Sequence, residues 1–303
     1  MKVLLAGEVE ASGWARWRKA LAGAMPEAQW CTRDELVAAG VPLEAVTAAV
    51  IASPPPGSLA GLPNLRLIQS LWAGVDRLLA DPTLPAGVPL ARMVDPAMSA
   101  AMAETALWAV LALHRGFFRY QRQQRECRWH VLAQRRADEV SVLVLGQGAM
   151  GRAVTGRLAP LGYRVQGWRR DGTSIHVALA GAEIVINLLP LTAQTRGLLD
   201  ARCFAALPRG AALVNLARGA HVVDADLLAA LDSGHLQHAV LDVFHAEPLP
   251  PEHPYWHHPQ VTVLPHAAAS TDPRSAAAVV AANLRALRDG APLAHLVDRE
   301  RAY

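Results

Sequence analysis

Lysine is nearly absent from this 303-residue chain: it stands only at positions 2 and 19, so almost all of the 29 basic residues are arginines. Cysteine is equally scarce. Cys31, Cys127 and Cys203 are odd in number and far apart, which argues against a disulfide framework and fits reduced thiols in a cytoplasmic protein. Long apolar runs are also missing. Apolar residues reach 52% and the mean hydropathy is +0.18, yet Arg, Asp, Gly or Pro cuts every apolar segment short of the ~18 residues of a membrane span. The opening MKVLLAGEVE holds a five-residue apolar run before Glu8, too short for a signal-peptide core. No membrane partner is expected.

Low charge, 18%, together with high apolar content predicts a large buried core and excludes disorder. The net charge is +3, but the arginines are scattered. Their densest run, Arg115 to Arg136, also carries Glu126 and Trp129. No basic face interleaved with aromatics marks a nucleic-acid site, so a solvated arginine surface is expected and nucleic acid is not. There is no repeat and no low-complexity tract.

The length suits about two domains of ~100–200 residues each. Val3–Ala6, Val50–Ala52 and Leu65–Gln69 are short apolar runs bounded by turn formers, as buried strands are. Trp14, Trp17, Ala20 and Leu21 fall at helical spacing, and Ser53-Pro54-Pro55-Pro56-Gly57 stops the second strand. One long helix is predicted from Ala97 to Arg119, carrying Met98, Met102, Leu107, Val110 and Leu111 on an apolar stripe and bridging the two domains. Strands then follow at 140–145, 163–168, 183–188, 211–216, 238–243 and 261–264, with helices at 149–159, 224–233 and 272–288. Such alternation predicts an α/β fold of two parallel-sheet domains, the second inserted in the first. The alanine-rich closing helix is expected to pack back on the first domain.

Gly146-Gln147-Gly148-Ala149-Met150-Gly151 directly follows a predicted strand and opens a helix. In that setting the glycines permit a tight turn and close approach of a dinucleotide's pyrophosphate to a helix N-terminus. Without that setting the motif is only a glycine-rich turn. The next strand ends in Trp168-Arg169-Arg170, where an NAD site usually places an acid for the ribose hydroxyls. An arginine pair there can fork onto a 2′-phosphate, which favours NADP over NAD. The competing readings are a solvated arginine pair, or Asp171 serving as the missing acid.

Arg218, Glu247 and His266 follow or end predicted strands, and in an open α/β sheet that edge binds ligands. An arginine can fork onto a carboxylate, a histidine can give or take a proton near neutral pH, and an adjacent carboxylate fixes its tautomer. Each alone also has a bland reading, as loop charge, turn residue or strand cap. His253, His257 and His258, near His245 and His266, offer an H-x3-H spacing, but a Pro-rich loop does not set two imidazoles on one helix face, so no metal is expected.

Together, Gly146–Gly151, Asn215-Leu216-Ala217-Arg218-Gly219, Glu247-Pro248 and Pro265-His266 resemble the D-isomer-specific 2-hydroxyacid dehydrogenases over essentially the whole chain. Within that family, Asn215–Val223, Leu228–Gly234, Glu247–Glu252 and the tail Val297–Tyr303 are similar to the A-type glyoxylate/hydroxypyruvate reductases. The resemblance implies two Rossmann-like or flavodoxin-like domains: 1–96 with 270–303 for substrate, and 97–269 for NADP. It implies NADPH-dependent reduction of a small 2-oxo acid, with Arg218 on the substrate's carboxylate and carbonyl oxygen, His266 as general acid and Glu247 holding His266. It also implies carboxylate-binding amides at Ala73-Gly74-Val75, a nicotinamide contact at Asp242, and a cofactor-lining loop at Leu189-Pro190, with Ala217 beside it. Trp72 stands where the subgroup often has glycine and Ala52 where it can have tryptophan, so pocket size departs from the pattern. A homodimer is implied, consistent with Trp108, Phe117, Phe118 and Tyr120. The alternatives are a non-catalytic dinucleotide sensor on the same fold and a dehydrogenase of a bulkier D-2-hydroxy acid.

Overall fold

In the computed structural model, which describes residues 1–170 and 172–303, the chain forms two compact units. One is Met1–Ala97 with Thr271–Tyr303, the other Met98–Ser270.

The first unit is built on β1 (Lys2–Gly7), α1 (Ala11–Ala24), β2 (Gln29–Cys31), α2 (Arg33–Ala38), β3 (Val46–Ala52), β4 (Leu67–Ser70), α3 (Asp76–Leu79) and β5 (Leu90–Ala91). Its parallel sheet runs β2-β1-β3-β4-β5. β3 is almost wholly buried, as a central strand covered on both faces must be. Leu4, Ala49, Ile51 and Ile68 join Leu36, Leu59 and Leu78 in its core. β2 and β5 are edge strands of three and two residues, too short to show as a pattern in the sequence.

The second unit follows through α4 (Pro96–His114), α5 (Phe117–Arg125), β6 (Ser141–Leu145), α6 (Ala149–Leu158), β7 (Arg164–Trp168), α7 (Ile175–Leu179), β8 (Ile184–Asn187), α8 (Ala201–Ala206), β9 (Ala211–Asn215), α9 (Asp224–Asp232), β10 (Leu236–Leu241) and β11 (Val261–Val263). The parallel sheet runs β11-β10-β9-β8-β6-β7. Period-two alternation divides its side chains between two cores. Leu143, Leu145, Val185, Leu213 and Leu241 pack with Leu199, Phe204 and Leu227, whereas Val142, Val144, Ile186, Val214 and Val240 pack with Met102, Ala106, Val110 and Leu158.

The single helix expected over Ala97–Arg119 is two. α4 ends at His114, Gly116 turns left-handed at φ 71°, and α5 restarts from it; glycine adopts this conformation without a Cβ clash. At 19 residues and mean hydropathy 1.4, α4 is long and apolar enough to cross a membrane by length and composition. Here its Met102–Leu113 face packs in a core. α10 (Pro273–Asp289) returns the chain to the first unit and packs on α1 and β4.

Candidate active site

All strands of the second sheet point the same way, so the loops after β6, β8, β9, β10 and β11 share its carboxyl edge. Gly146 leaves β6 at φ 95° and its N–H donates to Trp168 O at 2.8 Å. A Cβ on Gly151 would lie 1.8 Å from Gly146 O, so only glycine lets the first turn of α6 settle on the loop. Gly148 caps α6 without a side-chain hydrogen bond. Ala149 and Met150 thus open a helix whose first-turn amides suit a pyrophosphate.

Beside this loop is a cavity of about 360 Å³ lined by Gln147, Arg152, Gly167, Trp168 and Arg169. Trp168 is buried and its Nε1–H donates to Thr173 O at 2.9 Å. Arg152, Arg169 and Arg170 are all exposed, and Arg170 is not among the residues that line the cavity. Asp171, the alternative ribose partner, lies outside the described residues. Glycines where a Cβ would clash, with Arg152 on α6 and Arg169 past the end of β7 lining the cavity, fit a phosphorylated dinucleotide. Arg152 was not singled out from sequence; its signal was an arginine immediately after the third glycine.

A buried amide network lies under the next two loops. Asn187 Nδ2 donates to Asn215 Oδ1 at 3.0 Å, Asn215 Nδ2 to Arg218 O at 3.0 Å, and Leu189 N–H to Asn187 Oδ1 at 3.2 Å. Ala217 N–H reaches Asn215 Oδ1 at 3.3 Å. His221, fully buried, sets its two ring nitrogens 3.2 Å from Arg218 O and Pro190 O. The loops bearing Leu189-Pro190 and Ala217-Arg218 are therefore tied together by side chains the motifs do not mention. Arg218 is half-buried, with Nη1 donating to Ala217 O at 2.7 Å.

His266 and Glu247 meet as expected. His266 Nδ1–H donates to Glu247 Oε2 at 2.7 Å, and Phe244 N–H holds the other carboxylate oxygen at 2.9 Å. With Nδ1 committed to the carboxylate, Nε2 is the nitrogen left to exchange a proton. His266 stands at φ 52°, a left-handed backbone uncommon outside glycine. Asp242 holds it there: its backbone O accepts from His266 N at 2.9 Å, and its two carboxylate oxygens accept from Ala267 N at 2.7 Å and Ala268 N at 3.1 Å. Burial raises the Asp242 carboxyl above its ordinary range, against the pull of those two amides. Next to Ala267 and Ala268 is a second cavity, about 330 Å³, lined by Thr105, Trp108 and Leu264.

In the first unit Trp72, Ala73 and Gly74 are half-buried at the carboxyl edge of β4 and Val75 is buried. Ser70 Oγ accepts from Trp72 N at 3.0 Å, and Met93 N–H donates to Trp72 O at 3.0 Å. Ala52 is fully buried at the end of β3. Among the described residues no group of three or more His, Cys, Asp or Glu could hold a metal ion; His253 and His258 instead face Asp224 and Asp232, at 3.5 and 3.2 Å.

The family model for the NAD binding domain of D-isomer specific 2-hydroxyacid dehydrogenases matches residues 107–268. The chain is also 40% identical over 302 residues to glyoxylate/hydroxypyruvate reductase A of Serratia proteamaculans, covering 93% of this chain and 94% of that one. The chain belongs to the D-isomer-specific 2-hydroxyacid dehydrogenases. Solved members of the family share its fold. A dehydrogenase from Xanthobacter autotrophicus in complex with NADPH and MES superposes with a TM-score of 0.93 at 40% identity, over 100% of this chain and 99% of that one. The NADPH-dependent glyoxylate/hydroxypyruvate reductase of Sinorhizobium meliloti, in complex with NADP and sulfate, gives 0.91 at 33% identity over the same shares.

Proposed function

We propose that this dehydrogenase reduces small 2-oxo acids, glyoxylate and hydroxypyruvate first, with NADPH. The observation that carries the reading is the His266–Glu247 pair at 2.7 Å on the ligand edge of a sheet whose glycine loop fits a dinucleotide. When bound, NADPH supplies the hydride. His266 Nε2 donates the proton to the substrate's carbonyl oxygen, Glu247 stabilises the ring while it is charged and fixes its tautomer, and Arg218 forks onto the substrate's carboxylate. Asp242 doubles as the nicotinamide contact, Leu189, Pro190 and Ala217 line the cofactor, and Arg169 takes the 2′-phosphate. The amides of Ala73, Gly74 and Val75 are proposed to serve the carboxylate, with Trp72 as a further substrate contact.

A second copy of the chain is the proposed partner, through the exposed apolar residues Trp108, Leu111 and Phe117 on α4 and α5. The three unpaired cysteines are consistent with the cytoplasm, where thiols stay reduced. The deciding experiment follows NADPH absorbance with a panel of 2-oxo acids. Glyoxylate and hydroxypyruvate should give the highest kcat/KM, and NADPH should exceed NADH. A bulkier acid in first place, or tight NADPH binding with no turnover of any acid, would replace this reading with one of its alternatives. A monomeric mass by light scattering would remove the dimer.

A further inference from the structure

The sequence offers Arg169 and Arg170 as neighbours, but the cavity at the end of β7 is lined by Arg169 and, from the helix across the loop, Arg152. Arg152 lies in the first turn of α6, one residue past Gly151. Its Nη1 donates to Gln147 O at 2.8 Å, and a guanidinium has five N–H donors. That bond anchors the group to the glycine loop while its remaining donors stay available. The loop in turn is held against the strand: a Cβ on Gly167 would fall 2.3 Å from Gln147 Cδ, and Gln147 Nε2 donates to Val144 O at 3.1 Å. Gln147 thus covers bare backbone where a larger strand residue would push it into the cavity.

Resting on the NADPH reading, we infer that Arg152 is the second guanidinium of the 2′-phosphate site, facing Arg169, and that Arg170 is a surface charge. An anion in this cavity would meet cations from two elements, one on the α6 turn and one at the end of β7. Arg170 stands at a bend past the end of β7 and is not among the residues that line the cavity.

The test is binding, read by tryptophan fluorescence, of NADPH, NADH, 2′,5′-ADP and AMP to the wild type and to R152A, R152K, R169A and R170A. In R152A, affinity for NADPH and 2′,5′-ADP should fall about tenfold to a hundredfold while NADH and AMP stay within about twofold. R152K should recover part of the loss, as a point charge without the fork. Equal losses for phosphorylated and unphosphorylated ligands in R152A would show that Arg152 only supports the loop, and would overturn the inference. So would a larger loss of discrimination in R170A than in R152A. A wild type that does not distinguish NADPH from NADH would instead remove the NADPH reading beneath it; discrimination that survives R152A but not R169A would remove Arg152 alone.

Discussion

His266, the proposed proton donor, stands on a backbone most residues avoid, and three bonds to Asp242 keep its loop there. Removing a positioned general acid costs ~10²–10⁴-fold, so H266A should lose that much kcat while its NADPH dissociation constant holds; wild-type kcat would end the assignment. E247Q keeps a hydrogen-bonding side chain next to Nδ1 but no charge to balance the imidazolium, and its kcat should fall by about tenfold or more in the same assay. The His266–Glu247 contact was legible as part of an ordered set of motifs, since each of its residues alone also reads as a turn residue or a strand cap. Asn187, Asn215 and His221 were not legible. They brace the backbone of their own loops, and the two bonds that join one loop to the other, Asn187 to Asn215 and His221 to Pro190 O, exist only once the sheet has brought β8 and β9 side by side. Arg152 escaped for a related reason: its partner in the cavity comes from a strand rather than from its own helix.

Strands and long helices were mostly legible, because an uninterrupted apolar run in a parallel sheet has few other uses. β6, β8, β9 and β10 stand within two residues of their expected places. α7 and α8 were missed, at five and six residues, since so few turns give the helical period little room to appear. The long helix through Gly116 was over-read because one glycine weighs little against a steady apolar stripe, whereas the fold uses it at φ 71°. Close approach of elements makes its own prediction at Gly219. A Cβ there would stand 2.0–2.4 Å from the backbone of Phe244, and Phe244 N–H holds Glu247. G219A must therefore spread the Arg218 loop from the Glu247 loop. Its kcat/KM should drop on the order of a hundredfold, and a circular-dichroism melt should still show a cooperative transition; wild-type kcat/KM would show that the loops tolerate the shift.

At the scale of the molecule, one buried histidine ties stability to pH. His238 lies on β10 with its ring stacked on Phe118 at 4.1 Å and its Nε2 2.9 Å from Thr262 Oγ1. Burial, with Arg122 and His258 adding to it, pushes it down to about 4. In the unfolded chain the same ring takes a proton near 6.5. Between those values the unfolded state binds more protons, so stability is full above about pH 6.5 and falls as pH drops toward 4, by up to about 3 kcal/mol. Urea midpoints measured at pH 7, 5.5 and 4.5 should decline in that order. H238Q should flatten the decline by this amount, and an unchanged slope would assign the acid sensitivity to other groups.

The first unit is assembled from the two ends of the chain, and this sets an order of events during synthesis. Fully buried Gln69 on β4 receives Asn283 Nδ2 on its Oε1 at 2.7 Å, and Ala91 at the end of β5 pairs with Leu296. Those partners come 214 residues after Gln69 in the first case. At ~5–20 residues per second a ribosome needs roughly 10–40 s to supply them. Throughout that interval the whole second unit emerges as one continuous stretch and can close on itself, while β3, among the most apolar segments of the protein, waits without the helix that completes its unit. The unit that holds residues 1–97 is therefore completed only after the whole of the other has been made.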